Sequence, residues 1–189
     1  MDVDKKPVLF IVLATLAILV GTLLTTFIPL FMGMTTPSLE KVLPYAPIEV
    51  EGRDIYIREG CNNCHTQTIR PLSAETARYG DPSQLEESAI DRPFLWGSKR
   101  TGPDLARVGR KYPAPWHYLH LKNPRSLYAD SNMPAYAWLA DNKLDTRYTV
   151  KKMKVLGYPY TDNDIRALDG KNEMDALVAY LMRLGRELR

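Results

Sequence analysis

The chain has 189 residues, a quarter of them charged and 45% hydrophobic, with a formal net charge of +3. That length gives one domain plus an extra segment, and the composition allows a packed core rather than a disordered chain. The small positive charge is spread along the sequence, which argues against nucleic acid as a partner. Two cysteines cannot build a disulfide framework.

The first element is apolar. No charged residue occurs between Pro7 and Leu39, and Val8 to Ile28 is a continuous apolar run. At about 1.5 Å per residue such a run matches a hydrocarbon core of roughly 30 Å. Thr15, Thr22, Thr25 and Thr26 are compatible with it, because their hydroxyls can bond back to helix carbonyls. A cleavable signal has a shorter apolar region, about 7–15 residues, and an Ala-x-Ala-like site that is absent here. An uncleaved anchor over residues 8–34 is therefore expected, with 1–7 as a short N-terminus. Lys5 and Lys6 on one side and Lys41 and Arg53 on the other do not decide its orientation. Pro29, Pro37, Pro44 and Pro47 predict an extended neck, placed at 35–48, leading to a globular domain over 49–189.

Residues 49–60 predict a short helix closed by Gly60. Residues 66–115 are rich in Pro and Gly and predict loop with short helical turns. The stretch "PWHYLHLKNP" predicts a two-turn helix with Pro115 in its first turn and Pro124 ending it. The loop "NMPAYAWL" follows. Asn172 predicts a cap for a helix from Glu173 to about Gly185, with Met174, Leu177, Val178, Leu181, Leu184 and Leu188 on one face. No stretch shows the two-residue alternation of a sheet, so the expected fold is mostly α with long loops. Such a domain buries little apolar surface by itself, and a large apolar cofactor would complete its core.

The segment "REGCNNCHTQ" holds both cysteines, Cys61 and Cys64, followed directly by His65. A structural zinc needs four ligands, and a His adjacent to the second Cys rarely reaches the same metal. A thioredoxin-like redox pair needs a βαβ context that is missing. A covalent haem accounts for every residue: two thiols join the two vinyl groups, and the next imidazole reaches the iron. Attachment of that kind takes place outside the energy-transducing membrane, in bacteria the periplasm. This places the N-terminus in the cytoplasm and the haem domain in the periplasm.

A second axial ligand is expected from a later loop. Met174 and Met182 lie on a helix pattern and are expected to fill core. Met153, flanked by lysines, is expected to be partly exposed. Met133, in a loop and stiffened by Pro134, is the expected ligand. His117 or His120 would give a bis-His iron instead, but they are expected to cap or hydrogen-bond on a short surface helix. With two protein ligands the iron has no open position, so the chain is expected to pass electrons rather than catalyse by itself.

The order of the anchor, "REGCNNCHTQ", "RTGPDLARVGRKY", "HLKNPR" and "SNMPAYAWL" resembles the monohaem cytochrome c subunit of cbb3-type (C-type haem–copper) cytochrome c oxidase, through nearly the whole chain. The resemblance implies a class I cytochrome c domain in which an N-terminal helix crosses the C-terminal one, roles that 51–60 and 173–185 fit. It implies one covalent haem c on Cys61 and Cys64 with His65 and Met133 as axial ligands. Gly102–Pro103 resembles the segment whose carbonyl accepts a hydrogen bond from the proximal imidazole. The insert at 66–100 is either solvated loop or a docking surface, with Arg70, Arg78, Arg92, Trp96 and Arg100 as its candidate residues. In the second case an arginine or Trp96 would lie near the haem propionates. The implied partners are the haem–copper catalytic subunit with its haem b and copper, a dihaem cytochrome c subunit, small single-span subunits and membrane lipid. The small cytochrome c subunit of nitric oxide reductase, or a haem-based sensor or peroxidase-like protein, is the alternative.

Overall fold

The computed structural model describes residues 5–32, 42–97 and 99–186, in two compact units divided between Leu39 and Glu40. In the first unit a single helix, α1 (Pro7–Phe31), is long and apolar enough to cross a membrane. Pro7 opens it, where its missing N–H costs nothing. The helix widens into a π turn over Leu23–Phe27, just before Pro29. Pro29 removes one N–H and crowds the carbonyl four residues back, and a widened turn relieves that crowding. Thr25 donates to the Gly21 carbonyl at 2.7 Å, keeping its hydroxyl paired within the helix. Pro29 therefore lies inside the helix and does not begin an extended neck. Most of the expected neck lies outside the described residues, and Pro47 is the first residue of the next helix rather than part of a linker.

The second unit contains α2 (Pro47–Arg58), α3 (Ser73–Tyr79), α4 (Ala114–Lys122), α5 (Thr149–Leu156), α6 (Asp162–Arg166) and α7 (Glu173–Arg183). Short 3-10 turns and loop join them, and no strand occurs among the described residues. α2 begins at Pro47, where the Glu49 carboxylate accepts from the Ala46 N–H at 2.8 Å. It ends at Gly60, which has φ +70 and is left-handed, a conformation glycine adopts without a Cβ penalty. α7 has the expected cap: the Asn172 side chain accepts from the Asp175 N–H at 2.8 Å. Gly185, with φ +86, follows its end.

α2 and α7 cross beside the core. At the crossing a Cβ on Gly52 would stand 1.9 Å from the Ala176 carbonyl oxygen and 2.8 Å from Tyr180 Cβ. Only a glycine allows this approach. Around it Tyr56, Tyr180, Met174, Leu177, Leu139 and Met153 are fully buried. Tyr180 joins the layers: its ring meets Tyr45 and Tyr56 at 5.9 and 5.4 Å, and Gln67 donates to its hydroxyl at 3.0 Å. Arg58 at the end of α2 clasps Glu173 at the start of α7, at 2.6 and 2.8 Å.

Met153 is wholly buried, contrary to the expectation of partial exposure. Its lysine neighbours point elsewhere on α5. Lys152 reaches Glu51 and Asp54 of α2 at 2.6 and 2.7 Å, and Thr149 donates to Glu51 at 2.6 Å, so Met153 is left on the core face.

Candidate functional site

The site begins where α2 stops. Left-handed Gly60 turns the chain so that residues 61–65 form one tight loop, with the Asn63 N–H donating to the Gly60 carbonyl and the His65 N–H to the Cys61 carbonyl, both at 2.9 Å. This presents Cys61 half-buried and Cys64 exposed on one turn, with neither in a disulfide. Burial first, with the Glu59 carboxylate second, pushes the Cys61 thiol up to about 12. Redox-active Cys-x-x-Cys pairs have lowered thiol pKa values, and this site does the opposite.

A second strip of chain clamps the turn. The Gly102 N–H donates to the Cys64 carbonyl at 3.0 Å and the Leu105 N–H to the Thr66 carbonyl at 2.9 Å. Between these bonds the Pro103 carbonyl lies 2.7 Å from His65 Nδ1, which donates to it. That bond fixes the tautomer and leaves Nε2 as the lone-pair nitrogen. Gly102 lies flat against the ring: a Cβ there would be 2.2 Å from His65 Cε1 and 2.7 Å from Nε2. Burial, partly opposed by the Pro103 hydrogen bond, lowers the His65 pKa and so favours the neutral imidazole that a metal requires. Two neighbouring cysteines outside any disulfide, an oriented imidazole and a backbone cradle fit a c-type haem, which Cys61, Cys64 and His65 would hold.

Met133 lies in the loop before the 3-10 turn Ala137–Ala140, half-buried against the core. Its N–H donates to Ser131 Oγ at 3.3 Å. The Tyr136 N–H donates to the Leu121 carbonyl at 2.8 Å, tying this loop to α4. The Tyr136 phenol is raised above its ordinary pKa by burial, then by Cys61, Glu59 and Cys64, and Cys61, Met133 and Tyr136 all pack against the same core.

Much of the insert at 66–100 is not freely solvated. Glu75 pairs with Arg70 and with Arg100 at 2.9 Å, and Arg100 also reaches Asp104 at 3.2 Å and the Thr68 carbonyl at 2.8 Å. Arg70 foremost, with Arg100, holds the Glu75 carboxyl below the usual carboxylate range. Arg92 donates to the Ala89 and Asp91 carbonyls at 3.1 and 2.8 Å. Trp96 donates to Ser88 Oγ at 3.1 Å and stacks on Phe94 at 4.5 Å, with both rings about half exposed. Arg100 joins this cage directly to the segment that holds His65.

His117 and His120 differ from their expectation. His117 is buried, its Nε2 has no hydrogen-bond partner, and burial followed by the His120 charge lowers its pKa to about 4. His120 Nδ1 is likewise buried and unpartnered. Neither caps the helix, because α4 packs inward. The mixed polar and aromatic run Trp116-His117-Tyr118-Leu119-His120 carries no clear sequence signal of this.

An apolar helix long enough to cross a membrane thus precedes, along the sequence, a small mostly helical domain in which α2 and α7 cross beside a Cys-x-x-Cys-His turn. Residues 1–171 match the family model described as Cytochrome C oxidase, mono-heme subunit/FixO, and the chain belongs to that family. No curated protein matches the chain. Membership makes it a subunit of cytochrome c oxidase, an oxidoreductase complex, and the family description specifies one haem.

Proposed function

We propose that the chain is a membrane-anchored c-type cytochrome that relays electrons to the catalytic subunit of a bacterial cbb3-type oxidase. Such an oxidase reduces oxygen to water while protons are pumped. The observation that carries this reading is the His65 Nδ1–Pro103 hydrogen bond, made beside Gly102 and directly after Cys61 and Cys64. It sets one imidazole nitrogen free for a metal on the turn that offers two thiols.

The haem supplies a one-electron ferric–ferrous couple. Cys61 and Cys64 would hold it through thioether bonds, each made by adding S–H across one vinyl group. His65 through Nε2 and Met133 through its thioether would hold its iron, a ligand pair that would favour the reduced state and leave no position for a substrate. The chain therefore moves electrons and does not itself catalyse. It takes them from a dihaem cytochrome c subunit and passes them to the haem–copper subunit. α1 is the anchor, with residues 1–7 in the cytoplasm and the haem domain in the periplasm. A tether replaces a diffusional encounter by a fixed local concentration.

Isolation of the complex through this chain, followed by oxygen uptake with reduced soluble cytochrome c as donor, tests the reading. A copper-containing subunit is expected to co-purify, and Met133→Ala is expected to abolish most of the uptake. Recovery of the haem-loaded chain without any copper-containing partner would sink the oxidase assignment.

A further inference from the structure

The four threonines of α1 are not equivalent. Thr25 spends its hydroxyl on the Gly21 carbonyl at 2.7 Å, which satisfies it inside the helix. Among the described residues the hydroxyls of Thr15, Thr22 and Thr26 make no such bond. These three are exposed on the helix surface, seven and four residues apart, the spacing of one helix face. An unpaired hydroxyl in hydrocarbon costs free energy, so this face calls for acceptors from outside the chain.

Gly21 is a second, independent sign. It lies well inside α1, where glycine is the poorest helix former after proline. Gly52 is required by Ala176, but a Cβ on Gly21 would meet nothing within 4 Å. Nothing in the chain itself asks for a glycine there. In membrane helices glycine admits a close approach by another backbone. The large side chains respect the same division. At about 100° per residue, Val12, Leu16, Val20 and Leu23 cluster on the side away from both Gly21 and Thr22. Gly21 and Thr22, being consecutive, point about 100° apart, a sector broader than the seam a single partner helix fills.

We propose that the Gly21–Thr22 side of α1 is its docking surface within the membrane, and that its partner is a multi-helix subunit of the oxidase. The sector lies in a groove between two helices of that subunit, whose carbonyl or side-chain oxygens accept from Thr15, Thr22 and Thr26. The Leu16–Leu23 side is left to lipid tails. The proposal rests on the oxidase reading and assigns the groove to the copper-containing catalytic subunit. A second copy of this chain offers only one helix and leaves part of the sector uncovered.

The test uses the complex purified in mild detergent through the full-length, haem-loaded chain, with copper per chain followed on dilution. Thr15→Val with Thr22→Val and Thr26→Val keeps the shape of the helix and removes its three hydroxyls. It is expected to weaken retention of the copper-containing subunit about tenfold. Gly21→Leu, which blocks the close approach, is expected to weaken it at least as much. Leu16→Val with Leu23→Val, on the lipid side, is expected to leave copper at the parent level. Haem staining of the membrane fraction checks that each variant is inserted and loaded. If a variant fails that check, a photo-activatable residue in place of Thr22 decides instead. It is expected to capture the copper-containing subunit, whereas the same residue in place of Val20 captures lipid. Parent-level copper in both the triple valine and the Gly21→Leu chains overturns the proposal. So does an equal loss in the lipid-side variant, or capture of only a second copy of this chain from position 22. A parent complex without copper overturns the oxidase reading itself, and is told apart because it is measured before any substitution.

Discussion

Gly52 of α2 and Ala176 of α7 meet so closely that a single added methyl group would stand 1.9 Å from a backbone oxygen. That contact sets the distance between the helices that carry the cysteine turn and the end of the chain. Gly52→Ala gains about 1 kcal/mol of helix propensity and loses about 3 kcal/mol to overpacking, since the clash is with backbone and cannot be rotated away. A net loss near 2 kcal/mol is expected in thermal unfolding of the haem-loaded chain. A melting temperature at or above that of the parent would show that the helices can separate freely.

Gly102 is a second contact of this kind, made with the ligand itself. The Cβ of Gly102→Ala would fall 2.2 Å from His65 Cε1 and force the ring off the Pro103 carbonyl. The thioether links are expected to remain, while the visible spectrum reports a weakened or lost axial imidazole. A parent-like spectrum and potential would mean that His65 is not held by this strip.

Met133 and Met153 make a paired test. Met133→Ala is expected to open the sixth position, lower the potential and let the ferrous protein bind carbon monoxide. Met153→Ala removes a wholly buried side chain, so about 2–5 kcal/mol of stability should be lost. Its potential should stay at the parent value. Exchange of these outcomes between the two methionines would refute the ligand assignment.

The Arg58–Glu173 clasp gives a pH dependence. The hydrogen bonds from Arg58 lower the Glu173 carboxyl below its ordinary value of 4.5. A group whose folded pKa is depressed stabilises the fold above its unfolded pKa, and that stability disappears as pH falls through the folded pKa. Glu173→Gln should therefore cost on the order of 1 kcal/mol at neutral pH, a small figure because Arg58 is half exposed. The gap between variant and parent melting temperatures should close as the pH drops below about 4.5. A gap that persists in acid would assign the effect to packing instead.

The parts of this fold legible in the sequence are those set by short-range chemistry. An uncharged run gives α1, Asn172 gives the start of α7, and Gly60 gives the end of α2. The Cys61–Cys64–His65 spacing needs no tertiary knowledge, because its ligands are neighbours along the chain. What stayed hidden depends on three-dimensional packing. Met153 is buried because Lys152 turns away to Glu51 and Asp54, a pairing made over about a hundred residues of sequence. The orphaned nitrogens of His117 and His120 follow from α4 packing inward, which its mixed polar and aromatic pattern does not announce. The helix through Pro29 rests on a π turn that composition alone does not reveal.

The central claim is a single haem carried covalently by Cys61 and Cys64. The mass of the intact chain, purified from membranes and measured after full denaturation, tests it most directly. The account predicts the polypeptide mass plus one haem for the parent, and the bare polypeptide mass for Cys61→Ser with Cys64→Ser. A denatured parent chain at the bare polypeptide mass, with both thiols free to react with an alkylating reagent, would contradict it.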